Sequence, residues 1–362
     1  MRIAILSLVA LATAFAQDAG KRIEARNDRY SEEIERYFRA YLVDEYGARA
    51  ASAWKRDYRS IEAFRKSVEP NRARYRAFIS PPDLKPTGPM ERRAHADIAG
   101  VNAEWLSIPL GRLKAEAVLV IPQGAKGPVP LVIAQHGIGS NPERVFGAGD
   151  GENLYKDYGH ALVNAGFAVL APFNLATVEK RNRIERLARL GGTTLPGIEF
   201  VRMQALLTEV LKDKRIDGKR VGMWGISLGG MATMFWMPLE PRIQCGIVCA
   251  WFNHRRNKMV IPDPRYSCFL ETKEEHAFFN GWLSEFTDSD VASLICPRPL
   301  LVQAGKADRI AHWPQIVEEF DVSKQHYEKL NIADRIEMDL HDGGHEIRLE
   351  SGLAFLKKWL QK

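Results

Sequence analysis

The chain has 362 residues, 46% of them hydrophobic, enough to bury a full core and about the length of one large α/β domain with an extension. Its 51 basic residues against 45 acidic ones give a formal charge of +6, with no long block of one sign. Such a surplus suits solubility or a weak attraction to acidic polymers and argues against nucleic-acid binding.

Met1-Arg2, the apolar run Ile3 to Ala12 and the small-x-small signal Ala14-Phe15-Ala16 before Gln17 read as a secretory leader. The run stops short of the roughly 20 apolar residues that a membrane span needs, and no cysteine follows the cleavage site to carry a lipid. Residues 1–16 are therefore expected to be a signal peptide. The mature protein is expected to be soluble, secreted or periplasmic, and free of the membrane.

From about Gln17 to Arg93 the chain is dense in Arg, Glu, Tyr and Phe, and Ile34, Tyr37, Phe38, Tyr41 and Leu42 recur at helical spacing. Two or three amphipathic helices are expected, ending at Ser80-Pro81-Pro82, with the aromatic stripe packed on the main domain. This extension is assigned residues 17–94 and the main domain residues 95–362. Within the latter, Val101 to Ile108 and Ala115 to Ile121 flank Gly111-Arg112 and predict an antiparallel hairpin entering a sheet. A buried strand at Leu131 to Ala134 leads into Gln135-His136-Gly137-Ile138-Gly139. A helix near Leu154 to Ala165, a strand at Ala168 to Ala171, a polar loop through Arg181 to Gly192 and a long helix at about Ile198 to Lys212 follow. The strand Arg220 to Trp224 and an apolar helix from Met231 enclose Gly225-Ile226-Ser227-Leu228-Gly229.

After a strand at Gly246 to Trp251, residues 253–290 look too long and irregular for a simple connection and read as a lid or cleft insertion. The strand Leu300 to Gln303 runs into Ala304-Gly305-Lys306-Ala307-Asp308. A helix near Trp313 to Leu330 leads to the strand Arg335 to Leu340 and His341-Asp342-Gly343-Gly344-His345, and the helix Gly352 to Leu360 closes the chain. Strands alternating with helices after an antiparallel start predict an α/β fold, a mostly parallel doubly wound sheet covered on both faces. Cys245 and Cys249 share one expected strand, where four residues span about 13 Å, too far for a bridge. A disulfide must then involve Cys268 or Cys296, and four buried free thiols are the competing expectation. No Cys/His spacing resembles a zinc site, and neither metal nor cofactor is expected.

The sequence G-x-S-x-G also marks ordinary strand-to-helix turns, so its context decides. A serine hydroxyl becomes a nucleophile when a base takes its proton and a third group holds that base in the right tautomer. Ser227, Asp308 and His345 follow three successive strand ends in that order, and reactive groups of parallel sheets gather at such ends. Asp308 alone could be a helix cap; His341 is a rival base and Asp342 a rival acid, while Gly343-Gly344 favours His345. For the developing oxyanion, the Leu228 N–H is one expected donor; the Ile138 N–H is the first choice for the second, and Gly137 the alternative. His136 is expected to brace that loop or touch substrate, and Trp251 and Trp282 to stack on sugar or to be core or cleft walls.

Together His136-Gly137, Gly225-Ile226-Ser227-Leu228-Gly229, Asp308 after a strand and Gly344-His345-Glu346 resemble the α/β-hydrolase superfamily, from about residue 95 to the C-terminus. Within it the chain is similar to the dienelactone-hydrolase-like and acetyl xylan esterase-like branches, which are related to the prolyl oligopeptidase catalytic domain. The resemblance implies a secreted, cofactor-free serine carboxylic-ester hydrolase acting on small-molecule or polysaccharide esters, acetyl xylan among them. Dienelactone hydrolases proper carry a cysteine where this chain has Ser227, which favours the esterases. Two alternatives stay open: a prolyl oligopeptidase-like peptidase, for which roughly 80 helical residues are too few to supply a propeller, and a non-catalytic binding protein that kept the fold.

Overall fold

Among the described residues the chain forms nine strands, the charged and exposed β1 (Glu91–Ala94) and the more apolar β2 (Ala103–Leu110), β3 (Leu113–Val120), β4 (Val129–Gln135), β5 (Ala168–Pro172), β6 (Ile216–Ile226), β7 (Ile243–Cys249), β8 (Leu300–Gly305) and β9 (Ile336–His341). They form one sheet in the order β1-β2-β3-β5-β4-β6-β7-β8-β9. The pairs from β1 through β3 to β5 are antiparallel, and those from β5 through β4 to β9 are parallel. Every residue of β4, β5 and β8 is buried, as expected of strands with helices on both faces. The chain leaves β4 for β5 on one side and returns to β6 on the other, and a crevice opens beyond the carboxyl ends of strands at such a switch.

The computed structural model describes residues 2–151 and 153–361, with the backbone alone for residues 2–16. The side chains of the expected signal peptide thus lie outside the described residues. Helix α1 spans Arg2–Arg39 and is followed by α2 (Tyr46–Ala53), α3 (Ile61–Ser67) and α4 (Glu69–Ile79). Three expectations need correction. Only the far end of the aromatic stripe packs: Ile34, Tyr37 and Phe38 on α1 are each at least half exposed, Tyr41 is half-buried, Leu42 packs against the core, and most of the docking is done by buried Tyr46, Trp54, Phe64, Tyr75 and Ile79. Helical period identified the helix but not how little of its face would be covered. The sheet also begins before residue 95, because β1 pairs with β2 from Glu91.

The third correction concerns the polar loop placed at Arg181 to Gly192, which is instead helix α6 (Val178–Leu190), with the Thr177 side chain accepting from the Lys180 N–H at its start. Its polar residues are internal partners. Arg181, fully buried, pairs at 2.7 Å with Glu199 of α7 (Leu195–Val210), and Glu185 accepts the Leu195 N–H at 2.7 Å.

Residues 253–290 are structured. They carry α9 (Arg255–Val260) and α10 (Trp282–Glu285) and lead into α11 (Asp288–Ile295). A fully buried bidentate pair, Arg255 with Asp288, ties the ends of this insertion together. The N-terminal helices hold it from outside: Tyr46 and Arg56 bond Asp290, Trp54 Nε1 donates to the Glu285 carbonyl at 2.9 Å, and Arg74 pairs with Glu285 at 2.7 Å. All four cysteines are buried and unpaired, and burial raises their thiols, which leaves them inert. Among the described residues, no helix is long and apolar enough to cross a membrane.

One buried acid gives the fold a pH dependence. Glu319, on α12 (Trp313–Glu328), accepts the Ser289 N–H at 2.7 Å close to Asp288 and Asp290, and burial pushes its carboxyl up to about 7. The folded state holds this proton more tightly than the unfolded chain, so its contribution to stability falls as pH rises from about 4.5 to about 7. Glu319→Gln is expected to raise the melting temperature at pH 8, with a gain of up to about 3 kcal/mol that shrinks towards pH 5. Thermal unfolding across that range measures it; an equal effect at both ends would contradict the assignment.

Candidate active site

Ser227 stands between β6 and α8 (Leu228–Trp236) with φ 57° and ψ −118°, a backbone conformation that side-chain-bearing residues seldom adopt. Two glycines make the turn possible. A Cβ on Gly225 would run into the Gly229 backbone, and one on Gly229 would run into the Gln135 carbonyl at the end of β4. The Ser227 N–H donates to the Cys249 carbonyl at the end of β7, 2.9 Å away, so the serine is fixed to the neighbouring strand. Its side chain then sits at the N-terminus of α8, where first-turn N–H groups have no helical partner.

Asp308 follows β8 in a turn closed by its own N–H to the Gly305 carbonyl at 3.2 Å. This turn is zipped to the loop after β9: the Lys306 N–H donates to the His341 carbonyl at 2.8 Å and the Ala307 N–H to the Gly343 carbonyl at 3.0 Å. The contact requires a glycine at 305, since a Cβ there would strike the Gly343 and Gly344 carbonyls. Asp308 is buried. Its Oδ1 accepts the Ile310 N–H at 3.1 Å and its Oδ2 lies 2.8 Å from His345 Nδ1. With the Nδ1 hydrogen donated to a carboxylate, Nε2 is the ring atom left as a base. Ser227 and Asp308 line one cavity, but Ser227 Oγ makes no hydrogen bond to His345 here. That contact is one that commonly tightens only with substrate present.

The rivals are occupied elsewhere. His341 is buried, accepts the Gly343 N–H at 3.1 Å and braces the turn, while Asp342 is exposed and paired with Lys306 at 2.8 Å.

On the opposite side, Gly137 packs against Ser227; a Cβ there would meet Ser227 Cβ at 3.3 Å. Its N–H is already donated to the Tyr155 hydroxyl at 2.8 Å, which removes Gly137 as an oxyanion donor. The Gly139 N–H goes to the Ala176 carbonyl at 2.7 Å, leaving Ile138 between two anchored residues in the cavity wall. Tyr155 is therefore a support that sequence reasoning missed. Tyr155→Phe is expected to leave a buried N–H unpaired, destabilise the fold by about 1–3 kcal/mol and lower kcat more than it raises KM. Chemical unfolding beside steady-state kinetics tests both, and a silent variant would show that the loop needs no such tether.

His136 is not a substrate contact. It is fully buried between the Gly137 carbonyl (Nδ1, 2.9 Å) and the Asn174 N–H (Nε2, 3.2 Å), and burial lowers its pKa to about 4, keeping it neutral. Trp282 is likewise core, packed edge-on against Phe235 and Phe279 and outside the cavity wall. Trp251 does line the cavity, beside Ser227, Leu228, Ile138 and Phe269. The cavity measures about 60 Å³, far below the roughly 300–1,000 Å³ of sites that enclose drug-sized ligands.

Two cationic wall residues were also unforeseen, Arg255 and Lys258. Lys258 Nζ donates to the Ser267 carbonyl and hydroxyl at 2.5 and 2.8 Å and to the Ile310 carbonyl, and burial lowers its pKa to about 8. It thereby fastens α9 to the loop that carries Asp308. The sequence signal is the basic run His254-Arg255-Arg256-Asn257-Lys258 just after β7.

No protein-family profile matches the chain. A Bacillus subtilis (strain 168) protein, YtaP, which carries a provisional hydrolase designation, is 26% identical over 267 residues, 69% of this chain and 85% of its own length. A Bacteroides fragilis structure, provisionally described as an acetyl xylan esterase, is 19% identical over 77% of this chain and 75% of its own, with a TM-score of 0.60. The glucuronoyl esterase from Solibacter usitatus is 15% identical, covers 82% and 93%, and gives a TM-score of 0.61. The parallel sheet, its antiparallel leading edge and these likenesses agree on one conclusion: the chain has the α/β-hydrolase fold.

Proposed function

We propose that the protein is a serine carboxylic-ester hydrolase that removes short acyl groups, acetyl among them, from carbohydrate esters of the acetyl xylan type. The observation that carries this reading is the 2.8 Å pair of Asp308 with His345 at the same end of the sheet as the strained Ser227 turn. In the mechanism, His345 Nε2 takes the hydroxyl proton as Ser227 Oγ attacks the ester carbonyl. Asp308 holds the ring and stabilises the imidazolium that forms. The Leu228 and Ile138 N–H groups receive the oxyanion, each worth about 3 kcal/mol at the transition state. His345 then returns the proton to the departing alcohol, and water, activated by the same ring, cleaves the acyl-enzyme.

Size supports the short acyl group, because a cavity of about 60 Å³ accommodates a few heavy atoms and leaves a sugar ring outside. The carbohydrate alcohol is supported by the description of one structural neighbour as an acetyl xylan esterase, while the glucuronoyl esterase, whose sugar is the acyl part, supports a carbohydrate ester only in the broad sense. Export through residues 1–16 belongs to the same proposal, and a mature N-terminus at Gln17 would support it. The test is a panel of p-nitrophenyl acyl esters, acetylated xylan and an aminoacyl-prolyl amide. Fastest turnover of the shortest acyl chains, with acetate released from xylan and the amide untouched, is expected. Cleavage of simple esters without acetate release from xylan would remove the carbohydrate claim, and no labelling by a fluorophosphonate would remove the enzyme.

A further inference from the structure

Two residues of the Ser227 cavity wall, Arg255 and Trp251, each carry a buried hydrogen-bond donor with no acceptor among the described residues. Arg255 is fully buried; its Nε and Nη2 bond Asp288 at 2.9 and 2.8 Å, Nη2 also reaches the Trp251 carbonyl at 2.9 Å, and Nη1 has no partner. Trp251 lies against the same guanidinium, 4.4 Å from ring centroid to Cζ, and its buried Nε1 also has no partner. Both residues line the cavity with Ser227. Buried donors are nearly always paired, so each of these two calls for an acceptor from outside the chain, and ligand pockets use a few such polar groups to fix orientation. The guanidinium is clamped on both sides, by Asp288 and by the two indole rings of Trp251 and Trp282, so its free edge is fixed in place.

Charge and volume narrow what the donors take. Asp288 already neutralises Arg255, and the other charged groups in the wall are Lys258 against Asp308 and Glu274. Burial keeps His276, in the same wall, neutral at physiological pH, with a pKa lowered to about 3. The three Lys258 hydrogens are spent on Ser267 and Ile310. An added negative charge would face two carboxylates with one lysine in its favour, so the acceptor is neutral. A space of about 60 Å³ admits the acyl part of an ester and not the sugar.

We infer that Arg255 Nη1 and Trp251 Nε1 form an acyl subsite for a short acyl group bearing a neutral oxygen, a hydroxyacyl or alkoxyacyl group. The inference rests on the ester-hydrolase reading and deepens it. Acetyl enters the same space but leaves both donors unpaired, so it is accepted and not preferred. A site built to hydrogen-bond a substrate oxygen discriminates against the analogue that lacks it far better than an apolar pocket distinguishes chain lengths.

The test uses p-nitrophenyl methoxyacetate and p-nitrophenyl butyrate, which match in length and differ by an ether oxygen in place of a methylene. The readout is the ratio of their kcat/KM values, compared between the wild type and Trp251→Phe, so that the intrinsic reactivity of the two esters cancels. The ratio is expected to fall about tenfold in Trp251→Phe, which removes one donor and keeps the ring. Arg255→Lys, which keeps a cation beside Asp288 and removes Nη1, is expected to lower it in the same direction. Melting temperatures identify a variant that has merely unfolded. A ratio unchanged in both folded variants overturns the subsite, and a preference for a hemimalonyl ester over methoxyacetate overturns the neutral class. Failure of the wild type on every ester removes the esterase reading itself, an outcome distinct from hydrolysis indifferent to the oxygen.

Discussion

Ser227→Ala is expected to lower kcat for acetyl ester hydrolysis by about 10⁶-fold, with KM little changed, because the hydroxyl contributes to the reaction and little to ground-state binding. The residual rate should sit about 10³-fold or more above water, owing to the Leu228 and Ile138 N–H groups and to binding alone. Alanine at this position keeps the backbone strain at φ 57° and loses the atom that would make it useful, so the fold should be little affected. Initial rates and fluorophosphonate labelling check the result together. Retention of activity within tenfold would move the nucleophile elsewhere and dissolve the mechanism.

The second large effect is expected at Asp308. Asp308→Asn should lower kcat by about 10⁴-fold. The carboxylate accepts from both His345 Nδ1 and the Ile310 N–H, and an amide can satisfy only one of them as an acceptor. If the amide nitrogen faces the ring, Nδ1 becomes the acceptor, the hydrogen moves to Nε2, and the base is lost. If the amide oxygen faces the ring, the Ile310 N–H meets a donor and the loop shifts. Either way the pH–rate profile should lose its wild-type shape. An unaltered profile would mean that Asp308 is only a cap for the following turn.

Much of the sheet was legible because buried parallel strands announce themselves as runs such as Leu131 to Ala134 or Leu300 to Gln303, bounded by turn residues. The mostly parallel α/β sheet followed from their alternation with helices and the α/β-hydrolase fold from the resemblance of the motifs around Ser227, Asp308 and His345; the structure bears both out. The positions of Ser227, Asp308 and His345 after strands were legible, and the structure places Asp308 2.8 Å from His345. What escaped was chemistry that depends on partners distant in sequence. Arg181 and Glu185 read as solvated loop residues because polarity does not reveal that Glu199 and the Leu195 N–H wait for them. Tyr155 looked like one more core aromatic, although its hydroxyl decides which glycine-loop N–H is free. Trp282 and Trp251 were indistinguishable as sequence, yet packing sends one into the core and the other into the cavity wall. The α1 stripe failed for the opposite reason: a helical period certifies a helix and says nothing about whether another surface arrives to cover it.

The clasp between the N-terminal helices and the insertion has a consequence for the order in which the molecule assembles. Tyr46, Trp54, Arg56 and Arg74 find their partners 211 to 244 positions later in the chain. At a synthesis rate of about 5–20 residues per second, the first-made segment must wait roughly 10–50 s before those partners exist. During that interval Trp54 and Tyr75 lack Phe286, the ring against which both pack edge-on, so the beginning of the polypeptide depends on protection by chaperones until that residue is made. The clasp over the insertion can therefore close only after Asp290 has been made, when most of the sheet already exists.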